Sequence, residues 1–216
     1  MSMDLVCKYP YSKGEEVFNA VSHGAGILLA IAGCAVMISR SQDRIATVSA
    51  AIYGLSMILM YTMSTLYHAV PIKRAKRILQ VLDHASIYLL IAGCYAPVTL
   101  VLLRDSRRGL FLLAAVWVLA AVGIILNVVD MNRFKHVGLI LYLLMGWAVI
   151  LDIRNIVGML GTTGSALLIV GGVCYMVGVI FYKLKQIRYM HGIWHLFVLA
   201  GSVLHYLCIL RYIILV

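Results

Sequence analysis

The chain has 216 residues, of which 63% are hydrophobic and only 12% charged, with a mean hydropathy of +1.00. Soluble domains carry roughly 25% charged residues, so this composition excludes one and defines an integral membrane protein. The formal net charge of +10 sits in short segments that flank apolar runs, where anionic lipid headgroups attract it, and no nucleic-acid partner is expected.

The apolar runs, in chain order, are Val17–Ile38, Ile45–His68, Val81–Leu103, Gly109–Val129, Val137–Leu151, Ser165–Tyr182 and Met190–Val216. Each is near the ~17–25 residues that carry a helix across a bilayer. The expected fold is therefore an all-α integral membrane protein of seven transmembrane helices, a single domain over residues 1–216. The fifth run is the shortest, and "DIRNIVGMLGTTG" after it reads either as a loop or as an extension of that helix. Pro97 is expected to kink the third helix, because proline removes a backbone donor. The first run follows a mostly polar stretch rather than a short basic one, so no cleaved signal peptide is expected. With runs along its whole length, the chain leaves no room for a separate soluble domain.

Basic residues orient the bundle. If the N-terminus is cytoplasmic, the inner segments hold Lys8, Lys13, Lys73, Arg74, Lys76, Arg77, Arg133, Lys135, Lys183, Lys185 and Arg188. The outer segments hold Arg40, Arg44, Arg104, Arg107, Arg108, Arg154 and Arg211. Eleven against seven favours a short cytoplasmic segment 1–16, a cytoplasmic loop Pro71–Gln80 and an external Val216. The expected location is the cell (inner) membrane. The five cysteines, Cys7, Cys34, Cys94, Cys174 and Cys208, show no CxxC pairing, and most fall inside spans, where cysteine behaves as a small apolar residue. Glycines such as Gly24, Gly26, Gly171, Gly172 and Gly178 read as close-packing positions between helices.

Ionisable residues within spans are costly unless paired or wet, so the depth of each one is informative. In this topology His68 ends the second helix on the inner side, with Ser64 one turn before it. Asp83 and His84 lie in the first turn of the third helix, His191 and His195 in the first turns of the seventh, and His23 at the same level of the first. His191 and His195, four apart, share one helix face. Three imidazoles make the protein's share of a catalytic zinc site, which keeps a fourth position for water. His68, His191 and His195 are thus the expected Zn²⁺ ligands, with Asp83 as a direct or water-mediated fourth. A lone HxxxH pair is more simply explained by snorkelling or interhelical hydrogen bonding; His68 and Asp83 at the same depth tip the reading to metal. His23 is as consistent with supporting the site as with ligating it. His84 points about 100° away from Asp83, His136 sits at a loop edge, and His205 lies too deep for the same ion. There is no HExxH, GxSxG or phosphate loop.

The segments "EEVFNAVSHGAG", "STLYH", "LDHASIYLLIAGCYAP" and "HGIWHLFVLAGSVLHY" together resemble the hemolysin III branch of the progestin and adipoQ receptor (PAQR) family, which includes bacterial proteins named for membrane homeostasis. The resemblance implies seven helices, a cytoplasmic N-terminus and zinc near the inner face. It also implies kinship with alkaline ceramidases, in a wider superfamily sharing a serine, an aspartate and three histidines, which fall here on Ser64, His68, Asp83, His191 and His195. The function so implied is hydrolysis of a lipid amide or ester bearing an acyl chain. Asp83 would orient or deprotonate the water, and Ser64 would steady the oxyanion. Two alternatives stand beside it: a non-enzymatic sensor of membrane state with structural zinc, and a hemolysin-like membrane-permeabilising protein.

Overall fold

A computed structural model describes residues 11–184 and 186–216; Cys7, Lys8 and Lys185 lie outside the described residues. The described residues form seven α-helices: α1 Lys13–Arg40, α2 Arg44–Ala69, α3 Lys73–Pro97, α4 Arg107–Asp130, α5 Lys135–Trp147, α6 Ile153–Lys183 and α7 Met190–Ile209. Among the described residues there is no strand. Large apolar side chains such as Leu28, Phe111 and Val129 cover the outside, while histidines, Asp83, Asn19 and several serines are buried. An apolar exterior, with the ionisable and polar side chains kept inside an otherwise apolar bundle, is the arrangement lipid demands.

Helix starts follow local chemistry. Ser12 and Glu15 form a capping box at α1, and Asp43 accepts from the Ala46 amide at the start of α2. That amide and Arg104, 2.6 Å from the second Asp43 oxygen, hold the Asp43 carboxyl below its usual range. The third helix begins at Lys73, so most of the expected loop Pro71–Gln80 is helical. Lys, Arg, Ala and Leu are good helix formers, and a helix can run past the bilayer edge on charged turns. Asp83 consequently lies about three turns inside α3 rather than in its first. Pro97 ends α3, and a wider π turn, Val98–Leu102, carries the chain onward.

Among the described residues, six continuous helical stretches are long and apolar enough to cross a membrane. One of them, Lys135–Lys183, spans 49 residues, joining α5 to α6 through a 3₁₀ turn at Ala148–Asp152. As a straight rod it would be roughly 73 Å long, more than twice the ~30 Å hydrocarbon core. It is not straight. Gly161 has φ 64° and ψ −173°, a conformation only glycine adopts readily. Past it, Ser165 Oγ donates to the Val157 carbonyl at 3.4 Å, and Trp147 Nε1 to Met176 Sδ at 3.2 Å. Twenty-nine helical residues would separate the latter pair by about 43 Å, so the chain folds back at Gly161. The segment "DIRNIVGMLGTTG" is accordingly helix interrupted at one glycine, not a loop.

Helix α1 packs on α2, α2 on α3, α3 on α4, α4 on α5 and α6 on α7, and α7 returns to α1, which places the first and last helices side by side. Small residues permit the close approaches. A Cβ on Gly54 would fall 2.2 Å from Cys34 Sγ, one on Gly26 2.7 Å from the Tyr61 ring, and one on Gly171 2.3 Å from the His205 ring. Gly172 differs from expectation: nothing lies within 4 Å of its would-be Cβ, and it lines a cavity instead.

Candidate metal centre

Three helices build the centre. His68 closes α2, His191 and His195 open α7, and α1 lies alongside both. The ligand nitrogens of His68, His191 and His195 all lie within 4.8 Å of one another, and all three residues are buried. His191 Nε2 is 3.2 Å from His68 Nε2 and 3.2 Å from His195 Nε2. Three nitrogens each 2.0–2.1 Å from one tetrahedral ion stand about 3.3 Å apart, so the spacing fits zinc-like coordination.

The protons make the same case. His68 Nδ1 lies 2.6 Å from Glu16 Oε2, much closer than the Asn19 Nδ2 at 3.5 Å, and a carboxylate only accepts, so Nδ1 carries a hydrogen and, in the neutral ring, Nε2 keeps its lone pair. His195 Nδ1 lies 3.2 Å from the Asn19 carbonyl, which likewise only accepts. Ser22 Oγ, also 3.2 Å from His195 Nδ1, spends its own hydrogen on that carbonyl. Two lone pairs therefore aim at His191 Nε2, which can donate at most one hydrogen. Buried lone pairs converge in this way where a cation belongs between them. The cluster can hold a metal ion.

The remaining expected residues are placed as follows. His23, on α1, stacks on His195 with ring centres 3.7 Å apart and planes within 8°, outside the three-histidine group. Asp83 is 2% exposed and is not a member of that group. Ser64, fully buried, lies beside the Asp83 carboxyl without a well-aligned hydrogen bond. His84 binds the Gln80 carbonyl through Nδ1, and half-buried His205, outside the group, donates from Nε2 to the Leu168 carbonyl at 3.0 Å between α7 and α6. Cys34, Cys94, Cys174 and Cys208 are free thiols.

Next to the centre lies a cavity of about 1190 Å³, lined by Tyr11, Asp83, Tyr142, Tyr175, Trp194 and His205 among others. None of the three clustered histidines lines it. Its wall is one ring thick at this point: Tyr11 stacks on His191 at 5.0 Å between centres, and Trp194 packs on His191 at 4.9 Å and His195 at 5.1 Å.

Sequence reading overlooked Glu16, Asn19 and Ser22. The signal was present in "EEVFNAVSHG", where polar residues three and four apart mark one stripe of an otherwise lipid-compatible helix.

A multi-pass helical membrane protein with a buried histidine centre able to hold a metal ion is the class these features define. Residues 11–206 match the family described as "Haemolysin-III related". The chain is 39% identical over 203 residues to "Hemolysin-3" of Bacillus cereus, covering 93% of this chain and 92% of that protein. It is 41% identical over 201 residues to "Hemolysin-3 homolog" of Bacillus subtilis (strain 168), covering 92% and 94%. It is also 32% identical over 210 residues to the human "Monocyte to macrophage differentiation factor", covering 92% and 84%. The chain belongs to the haemolysin III family.

Proposed function

We propose that this protein is a zinc-dependent hydrolase of membrane lipid amides or esters, with His68, His191 and His195 as the zinc ligands. The observation that carries the metal is the convergence of three imidazole Nε2 atoms with the tautomers of two set by acceptors behind them. A zinc ion bound there supplies Lewis acidity and brings the pKa of a coordinated water down to about 7. Asp83, outside the ligand group yet lining the cavity, would orient the attacking water, take its proton and pass that proton to the departing amine or alcohol. Ser64, beside Asp83, would donate its hydroxyl hydrogen to the developing oxyanion. The large, mainly apolar cavity accommodates an acyl chain.

In this reading the chain is one domain that crosses the cell (inner) membrane seven times, with residues 1–16 cytoplasmic and Val216 outside. The stretch Lys135–Lys183 crosses twice, its return at Gly161. Cysteine accessibility at position 72 or 132 from the cytoplasm, and at position 162 from outside, tests the topology; the opposite pattern inverts it.

One observation favours a second reading, a membrane-state sensor with structural zinc: the three histidines are buried behind Tyr11 and Trp194 and do not line the cavity. Purified protein loaded with zinc and offered ceramides and glycerolipids decides between them. Turnover that depends on zinc supports the hydrolase. Full zinc occupancy with no cleavage of any lipid supports the sensor, and dye leakage from intact vesicles without cleavage supports permeabilisation, the activity named in the relatives "Hemolysin-3".

A further inference from the structure

The first helix contributes no member of the histidine cluster, yet it touches both helices that do. Glu16 stands at the centre of those contacts. Its Oε2 accepts from His68 Nδ1 at 2.6 Å, and its Oε1 is 2.8 Å from Lys76 Nζ. Lys76 is anchored in turn: its ammonium donates to the Tyr67 carbonyl at 2.8 Å and lies 4.9 Å above the Tyr67 ring. Residues 67 and 68 are adjacent, so Lys76 and Glu16 grip one turn of α2 from two sides.

We propose that Glu16 is the positioning residue of this metal centre, holding His68 in the Nδ1–H tautomer and fixing its ring direction, with Lys76 fixing Glu16. This rests on the reading of His68, His191 and His195 as metal ligands. The physical basis is simple. An imidazole binds a metal only through an unprotonated nitrogen, so its hydrogen must reside on the other one. In water the Nε2–H tautomer competes; a carboxylate facing Nδ1 removes that competition and makes Nε2 more electron-rich. A half-buried negative charge beside a membrane is costly on its own, and Lys76, half-buried like Glu16, neutralises it.

The same helix repeats the device more weakly. Asn19, one turn on, offers its carbonyl to His195 Nδ1, and Glu15 accepts the Tyr189 amide at 2.9 Å just before α7 begins. Tyr189 is in the left-handed region at φ 64°, an uncommon conformation for a tyrosine, and the Glu15 contact holds it there. So α1 orients histidines on α2 and α7 without ligating, and Glu16 makes the shortest and only charged contact to an imidazole among the described residues of α1.

The test uses the full chain in detergent with zinc alone as the probe, titrated against a chelator of known affinity, for the parent, Glu16→Gln and Glu16→Leu. Glu16→Gln keeps an acceptor and removes the charge; Glu16→Leu removes both. Zinc affinity should fall roughly 10-fold in the first and up to about 100-fold in the second. The ¹⁵N shifts of the His68 imidazole in metal-free protein should report the Nδ1–H tautomer in the parent and a mixture in Glu16→Leu. A purely structural role for Glu16 would not move that signal. Parent-like affinity and an unchanged tautomer in both variants would overturn the proposal. If Glu16→Leu does not fold, Glu16→Gln decides by affinity. A parent that binds no zinc sinks the metal reading instead, and the His68 tautomer then decides the role of Glu16 by itself.

Discussion

His23 and His195 lie face to face, 3.7 Å between ring centres and 8° between planes, although they come from the first and last helices of the chain. Both nitrogens of His23 are buried without a hydrogen bond. What His23 offers His195 is therefore a flat face rather than a polar contact, with Tyr61 closing the other side edge-on at 5.1 Å. His23→Phe keeps the face and should hold zinc within about threefold of the parent, since desolvated nitrogens without partners contribute nothing favourable. His23→Ala leaves a void and should cost on the order of 2 kcal/mol or more of stability. Zinc titration of both variants checks this; loss of binding in His23→Phe would make His23 a ligand.

A second expectation concerns Gly192, between the two histidines of α7. A Cβ there would meet Phe18 Cδ1 at 2.2 Å and Asn19 Oδ1 at 2.8 Å. Gly192→Ala should therefore separate α1 from α7, at about 1–3 kcal/mol for overpacking, and weaken zinc binding because Asn19 supports His195. Thermal unfolding and zinc titration should move together. A variant with normal zinc affinity and reduced stability would mean that the α1 contact is dispensable to the centre.

How much was legible in the sequence can be read from particular residues. Apolar runs marked each helix, because lipid demands apolar length, but they did not mark helix ends. Lys73–Arg77 looked like loop because it is charged, yet charged residues propagate a helix well. The depth argument selected His68, His191 and His195, and the structure brings these three within 4.8 Å. Depth says nothing about azimuth, so it left open whether Asp83 and His23 ligate directly; neither is a member of that group. Glu16 carried no depth signal: an acidic residue near the start of a first helix is ordinary until the facing helix is known. The cavity depends on the distances between backbones, which no run of residues encodes.

The return of the chain at Gly161 yields a contrasting pair. Gly161→Ala forces a Cβ into φ 64°, ψ −173° and should destabilise by about 1–3 kcal/mol, even though nothing lies within 4 Å to clash with it. Gly172→Ala, in helical backbone and equally open, should be neutral or stabilise by up to about 1 kcal/mol. Unfolding in detergent compares the two. Equal midpoints would mean that the backbone at position 161 is not strained by a side chain.

Asp83→Asn and His191→Ala separate catalysis from coordination. The aspartate lies outside the ligand group, so its amide should leave zinc occupancy largely intact while turnover falls by ~10²–10⁴, the usual cost of losing a general base. His191→Ala removes a nitrogen and should lower occupancy and turnover together. Metal analysis beside lipid hydrolysis measures both; full zinc and full turnover in both variants would end the hydrolase reading.

The central claim, that His68, His191 and His195 hold a zinc ion, is tested most directly by the zinc X-ray absorption spectrum of the purified chain, recorded beside His68→Ala. The account predicts about one zinc per chain with three imidazole nitrogens at about 2.0–2.1 Å and an oxygen completing the shell, and loss of that signal in the variant. Zinc that fails to bind, that shows sulfur neighbours near ~2.3 Å, or that keeps the same spectrum in His68→Ala would contradict it.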